Sequence, residues 1–355
     1  MSKTVVVGLS GGVDSSVTAL LLKEQGFNVL GVFMKNWSDS FALKNGECPW
    51  EQDQEDARQI AGQLGIDFQT MNFEKEYKEH VIDYFFKEYK SGRTPNPDIM
   101  CNSEIKFKVF FEKALDLGAD YIATGHYARV EHTEGQSRLL KGVDNTKDQS
   151  YFLYAIDQAA LQKTLFPVGE YKKSHIRDLA KKNGLMTHDK KDSQGICFVG
   201  EVDMREFLGQ YIDDAPGNIV DLDTKEILGT HHGLAWYTIG QRKGMAVGGT
   251  GLPLYVAGKD MNKNELYVVK GNYNPHLFKQ SLEAHDLHWI SDTPEAPGTY
   301  TAKIRYRQAD QACVITKKNA DTMQINFEEK QRAVTPGQSV VVYDGDYCLG
   351  GGVIS

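Results

Sequence analysis

The chain has 355 residues, 41% of them hydrophobic and 25% charged, and 48 acidic against 40 basic side chains leave a formal charge of −8. That balance supports buried cores and, at this length, two or three of them, while acid exceeds base in every third of the chain, which argues against a general nucleic-acid coat and leaves a local basic face open. No apolar run approaches the roughly 20 residues of a membrane span, the N-terminus enters a strand without a secretory pattern, and five cysteines without regular spacing argue against a disulfide framework; the expectation is a cytoplasmic protein.

The elements of the first half alternate. Thr4 to Leu9 is a β-branched run, followed by glycines and a helical stripe at Val13, Val17, Leu20 and Leu21 that stops at Gly26. Asn28 to Met34 reads as a second strand, Asp53 to Leu64 as a helix, Phe68 to Phe73 as a third strand, Tyr77 to Tyr89 and Ile105 to Leu117 as helices, and Tyr121 to Thr124 as a fourth strand. Apolar strands separated by amphipathic helices predict a doubly wound parallel α/β sheet, with ligands at the edge where the strands end. Near residue 200 the pattern changes to short strands and turns: Gly233 to Ile239, Tyr255 to Gly258 and Glu265 to Val269, then Thr301 to Tyr306, Ala312 to Ile315, Thr322 to Phe327 and Ser339 to Tyr343, which suit a barrel or a sandwich. The expected boundaries are near 200 and 280.

Ser10-Gly11-Gly12-Val13-Asp14-Ser15-Ser16 joins the first strand to the first helix. Glycines let backbone approach phosphate oxygens, the helix start offers unpaired N–H groups, and the serines add hydroxyls. Asp14 could cap the helix or hold a metal ion, and a capped helix after a tight turn would also explain part of the string. It is neither a Walker A loop nor a dinucleotide fingerprint. The string resembles the pyrophosphate loop (PP-loop) of ATP-pyrophosphatases, which split ATP between the α and β phosphates. That resemblance implies ATP cradled by Gly8, Leu9, Ser10, Gly11, Gly12, Val13, Asp14 and Ser15, with the backbone of Met34 at the adenine.

Two cysteines sit in polar, turn-rich sequence. Cys101 follows Arg93-Thr94-Pro95-Asn96-Pro97-Asp98 and precedes the helix expected from Ile105, where a helix start would lower a thiol pKa; Cys197 lies in Asp192-Ser193-Gln194-Gly195-Ile196-Cys197-Phe198, with Lys190 and Lys191 nearby to favour a thiolate. Cys313 and Cys348 read as strand core and Cys48 has no evident helper. No Cys-x-x-Cys pair or suitably spaced histidines point to a metal site.

Asn96-Pro97-Asp98…Cys101-Asn102, Ala123-Thr124-Gly125-His126-Tyr127, Asp148-Gln149-Ser150-Tyr151 and the 192–198 string occur in the order seen in bacterial tRNA-specific 2-thiouridylases, and His231-His232-Gly233 with Tyr237-Thr238-Ile239-Gly240-Gln241-Arg242-Lys243-Gly244 resembles their central domain. This resemblance, which covers nearly the whole chain, implies an adenine-nucleotide α-hydrolase-like domain over 1–200, a small central β-rich domain over 201–280, and a C-terminal β-barrel that contacts tRNA over 281–355. It implies ATP with Mg²⁺ for adenylating the wobble uridine of tRNA, a persulfide-donating partner protein, Cys197 as persulfide carrier and Cys101 as the thiol that either frees sulfide or resolves the persulfide. Either course leaves a Cys101–Cys197 disulfide. By the same resemblance Asp98 transfers a proton or holds the base, Asn96, Pro97 and Asp98 seat the uridine, Gly125 approaches ATP, and His126, Lys147, Asp148, Gln149, Arg305, Tyr306 and Gln338 contact RNA. The residues alone leave open another tRNA sulfurtransferase, an amidating ligase, a nucleotide-dependent RNA-binding module and a redox sensor.

Overall fold

The computed structural model describes residues 2–38, 50–192, 195, 197, 199, 204–248, 251–291, 293–317, 319 and 321–355. Cys48 and, within the 192–198 string, Ser193, Gln194, Ile196 and Phe198 lie outside the described residues. Among the described residues no helix is long and apolar enough to cross a membrane.

The first half builds β1 (Thr4–Gly8), β2 (Asn28–Lys35), β3 (Asp67–Asn72), β4 (Tyr121–Ala123), a hairpin of β5 (Ala128–Thr133) and β6 (Gln136–Lys141), and β7 (Thr164–Leu165). Five of these form a parallel sheet in the order β3-β2-β1-β4-β7. Alternation along β1 shows why both faces are covered. Val6 enters one core with Tyr77, Phe85, Ile105 and Phe110, whereas Val5 and Val7 enter the other with Val17, Ile60 and Ile176. The winding reverses between the neighbours β1 and β4, so the loops after them diverge and leave the crevice in which such sheets bind ligands.

Two helices depart from the sequence reading. Residues 74–90 are helical throughout, with a π-helical turn at Lys78–Ile82. The helix expected from Ile105 begins at Pro97 and runs to Asp116, with a π-helical stretch at Cys101–Val109. Proline is accepted at the first helical position, and Asn96 caps the start by accepting from the Asp98 and Ile99 N–H groups at 3.2 and 3.4 Å.

The middle of the chain forms β8 (Gly217–Asp221), β9 (Ile227–His231), β10 (Leu254–Asp260) and β11 (Glu265–Lys270), ordered β10-β11-β8-β9. The strand expected over Gly233 to Ile239 is instead a 3₁₀ turn at Leu234–Trp236. Leu234 and Tyr237 both reach the small core, a spacing of three that a strand would not allow.

The remaining strands are β12 (Phe278–Trp289), β13 (Gly298–Lys303), β14 (Gln311–Lys317), β15 (Met323–Arg332), β16 (Ser339–Asp344) and β17 (Tyr347–Ile354). They close into a six-stranded barrel through β12–β17, with Ala284 opposite Ile354 and Trp289 opposite Gly350. Three glycines make the closure possible. A Cβ at Gly350 would lie 2.1 Å from the His288 carbonyl oxygen, and one at Gly351 2.2 Å from that of Val340. The other end of β17 pairs Tyr347 and Cys348 with Leu140 and Leu139 of β6, so the β5–β6 hairpin extends the barrel sheet. Arg305 and Tyr306, expected within a strand, lie in the turn after β13.

Candidate active site

The loop after β1 is held by a tight backbone turn and by its own serines. Gly11 has φ +71°, and a Cβ there would meet the Asp53 carbonyl oxygen at 2.3 Å. Gly12 caps the helix Val13–Glu24 with no side-chain bond. The hydroxyls turn back on the loop: Ser15 Oγ accepts from the Ser10 N–H at 3.1 Å, and Ser16 Oγ donates to the Gly12 carbonyl at 2.7 Å. Asp14 does not cap the helix. Its carboxylate accepts from the Lys173 ammonium at 2.7 Å on both oxygens and from the Tyr127 hydroxyl at 2.7 Å.

Lys173 also reaches Asp192 at 2.8 Å, and Asp192 is further held by Arg177 at 3.0 Å and by Lys147 at 2.7 Å. Burial alone would raise the Asp192 carboxyl, but the bonds from Lys147 and Lys173 outweigh it and hold the group down at about 2. Three cations, Lys147, Lys173 and Arg177, thus gather with the carboxylates of Asp14, Asp144 and Asp192 beside the glycine loop. Lys147, expected at RNA, is one of the three.

The loop after β4 packs straight onto this helix start. A Cβ at Gly125 would lie 2.8 Å from the Ser15 nitrogen and 2.9 Å from the Asp14 carbonyl carbon. Met34 is buried, its Cε lies 3.0 Å from where a Gly8 Cβ would sit, and its carbonyl accepts from the Asn36 amide at 3.3 Å.

Cys101 and Cys197, 96 residues apart, stand with their sulfurs 3.6 Å apart. Their electrostatics reverse the sequence reading for Cys101 and keep its direction for Cys197 with a different helper. Cys101 sits more than a turn inside its helix and is fully buried; burial and its bond to Cys197 raise its thiol well above the ordinary value. Cys197 is the acidic member, lowered by the hydrogen bond from Cys101 and by Lys106 against the cost of burial. Lys190 is not the helper: its ammonium binds Asp53 at 2.7 Å and Asp56 at 2.5 Å.

Asp98 Oδ1 accepts from the Cys197 N–H at 3.2 Å, and burial raises its carboxyl despite that bond and Lys106. The Tyr77 hydroxyl donates to the Cys197 carbonyl at 2.6 Å. His126 is buried, with Nδ1 2.7 Å from Thr124 Oγ1 and Nε2 3.4 Å from the Lys106 ammonium. Ser15, Gly125, His126, Lys106 and Cys197 therefore form an unbroken row from the glycine loop to the thiols.

The other expected RNA contacts divide. Asp148 is buried and accepts from the Gly142 and Ser150 N–H groups, both at 3.1 Å, and from Lys303 at 3.3 Å, while Gln149 accepts from the Tyr127 N–H at 2.9 Å. Both are occupied inside the protein. Gln338 donates to the Thr94 and Pro95 carbonyls at 2.9 and 3.0 Å, beside Asn96 and Pro97. Arg305 bonds the Arg332 carbonyl. Tyr306 lies 4.5 Å from the Phe152 ring, whose carbonyl holds the Asn102 amide at 3.1 Å next to Cys101. Sequence reasoning missed Tyr77, Lys106, Lys173 and Arg177. Only Lys106 had a local signal, five residues beyond Cys101 on the same helix.

Family models agree over nearly the whole chain. One described as a tRNA methyl transferase HUP domain matches residues 3–201, one described as a tRNA methyl transferase PRC-barrel domain matches 205–270, and one described as an aminomethyltransferase beta-barrel domain matches 279–354. The tRNA-specific 2-thiouridylase MnmA of Methylobacillus flagellatus is 53% identical over 360 residues, spanning 100% of this chain and 99% of that protein. Its counterpart from Geobacillus thermodenitrificans is 53% identical over 351 residues, 99% of this chain and 94% of the relative, and that of Bacillus subtilis 51% over 352 residues with the same shares. With this identity running end to end, the chain belongs to the tRNA-specific 2-thiouridylase family.

Proposed function

We propose that the chain replaces the C2 carbonyl oxygen of a tRNA wobble uridine with sulfur, at the expense of ATP. The uracil oxygen attacks the α-phosphorus, the bond to the β-phosphate breaks and pyrophosphate leaves. Sulfur carried as a persulfide on Cys197 then reaches C2, and AMP departs with the oxygen. Two routes are open to Cys101: it attacks the Cys197 sulfur to release sulfide that adds to C2, or it does so after the terminal sulfur has added. Both end in a Cys101–Cys197 disulfide, which a thiol reductant must reopen. The 3.6 Å gap supports either, since the sulfurs need only close to about 2 Å.

The observation that carries this reading is the unbroken row from Ser15 through Gly125, His126 and Lys106 to Cys197, which joins a phosphate-type loop to a thiol pair. In this reading Gly8 to Ser15 hold the phosphates, the Met34 backbone and Gly125 meet the nucleotide, and Asn96, Pro97 and Asp98 receive the flipped base. The raised carboxyl of Asp98, a consequence of burial, suits it to carry a proton. In the same reading Tyr306, against Phe152, and Gln338, bonded to the Thr94 and Pro95 carbonyls, contact the RNA beside that base. Among the described residues no group of three His, Cys, Asp or Glu side chains could hold a metal ion, and Asp14 is already bonded. A Mg²⁺ ion would therefore arrive on the phosphate oxygens, where it would offset their charge. We assign 1–200 to the chemistry, 201–280 to the central part and 281–355 to tRNA contact, and place the protein in the cytoplasm with tRNA and a persulfide-donating protein as partners.

The test is nucleoside mass spectrometry after incubation with tRNA, ATP, Mg²⁺ and a persulfide donor. The native protein should yield 2-thiouridine, and Cys197→Ser should release pyrophosphate without yielding it. Undiminished 2-thiouridine from Cys197→Ser would overturn the assignment.

A further inference from the structure

Lys106 stands five residues after Cys101 within the π-helical stretch, the spacing of one π-helical hydrogen bond. Its ammonium lies 3.4 Å from His126 Nε2 and hydrogen-bonds the Cys197 thiol. His126 is fixed on its other side by Thr124 Oγ1 at 2.7 Å, and its ring is walled by Phe107 and Phe166, with centroids 5.9 and 6.2 Å away. Burial, helped by Lys106, pushes the imidazole well below its ordinary value, so the ring is neutral at neutral pH. With its Nδ1–H given to Thr124, Nε2 is left to accept from Lys106.

A neutral ring aims the ammonium but supplies no opposite charge, and a partly buried cation needs one. Among the described residues the groups facing the Cys197 sulfur are Cys101, Asp98 and Lys106 on one helix, Tyr77 on another, and His126 behind Lys106. Asp98 spends Oδ1 on the Cys197 N–H. Cys101 donates to Cys197 and so stays a thiol. Asp98 keeps its charge and also faces Lys106, but Cys197 is the group that Lys106 both hydrogen-bonds and faces as an anion.

We propose that Lys106, aimed by His126, is the catalytic counter-ion that holds Cys197 as a thiolate for loading with sulfur. The inference rests on the thiouridylase reading only for what is loaded. The Cys197 thiolate attacks the outer sulfur of the donor protein's persulfide; a sulfur–sulfur bond forms at Cys197, the donor's breaks, and the donor cysteine leaves as a thiolate with the electron pair. One thiolate enters and one leaves, so charge and redox state balance without proton transfer. His126 becomes a positioning residue, in place of the RNA contact expected from sequence.

The full-length reduced protein should be alkylated with iodoacetamide from pH 5 to 10, the Cys197 peptide being quantified by mass spectrometry. In the native protein the rate should rise with a midpoint below the ordinary thiol value of about 8.5. Lys106→Met should move that midpoint up by at least one unit, about tenfold in rate at pH 7, Lys106→Arg should restore most of the shift, and His126→Gln should give part of the Lys106→Met change. A purely structural role would alter the plateau and leave the midpoint in place. A native midpoint at or above the ordinary value overturns the proposal without any variant, and so does a folded Lys106→Met protein that titrates like the native one. The assay contains neither ATP nor tRNA. A shifted midpoint in a protein that makes no 2-thiouridine would overturn the functional reading and keep the counter-ion, whereas normal 2-thiouridine with an unmoved midpoint would overturn the counter-ion alone.

Discussion

Gly125→Ala isolates the contact between the nucleotide loop and the thiol side of the site. The added methyl carbon would lie 2.8 Å from the Ser15 nitrogen, 2.9 Å from the Asp14 carbonyl carbon and 3.0 Å from the Asp14 Cβ. Ordinary carbon contacts begin near 3.5 Å, so the start of the first helix or the β4 loop must shift by roughly 0.5 Å or more. Neither partner is a flexible side-chain tip. Overpacking of this kind costs about 1–3 kcal/mol of stability. The same shift displaces the N–H groups that would hold phosphate, and weakening ATP binding by about 1.4 kcal/mol corresponds to tenfold in Kd. The expected result is a lower melting temperature and at least tenfold weaker ATP binding by calorimetry. Gly62→Ala is the control: Gly62 is exposed in the helix Trp50–Leu64 with nothing within 4 Å of an added Cβ, and there the substitution should stabilise by about 0.5–1 kcal/mol. ATP affinity in Gly125→Ala within twofold of native would refute the reasoning.

Mild oxidation without reductant should link Cys101 to Cys197, visible by peptide mapping as a loss of two hydrogens, and Cys313 and Cys348, both buried in strands, should stay free. Asp192 is depressed in the folded protein, so its contribution to stability is present above the ordinary carboxylate range near pH 4 and fades as pH falls toward about 2; Asp192→Asn should lower the melting temperature at pH 6, with the difference from native shrinking by pH 2.5. Lys303→Met leaves the buried Asp148 carboxylate without its cation and should cost about 3 kcal/mol in chemical denaturation, provided the two parts unfold together.

The parallel sheet was legible because its strands are covered on both faces and read as short apolar runs such as Thr4 to Leu9. The barrel was only partly so. Its closing strand Tyr347–Ile354 contains Gly350, Gly351 and Gly352, which strand propensity rejects and close backbone passage demands. The helix start at Pro97 was hidden by two prolines that argue for a loop until Asn96 is seen as a cap. The string of residues around each cysteine was visible, but its electrostatics were not, because they depend on partners far along the chain. Lys173 is 159 residues from Asp14, and nothing local marks it as the loop's counter-charge. Lys190 looked like a neighbour of Cys197 by number and is committed to Asp53 and Asp56 in space.

The β5–β6 hairpin leaves the sheet that carries the glycine loop and joins its hydrogen bonds to β17, and Lys141 at its end binds Asp310 at 2.5 Å and the Gly345 carbonyl at 2.7 Å. The barrel is thereby riveted rather than tethered. A fragment cut upstream of β12 would expose a raw seam, and swapping in a foreign barrel would need a matching socket. The span between the barrel and the reaction centre is therefore set by this joint and behaves as a fixed gauge.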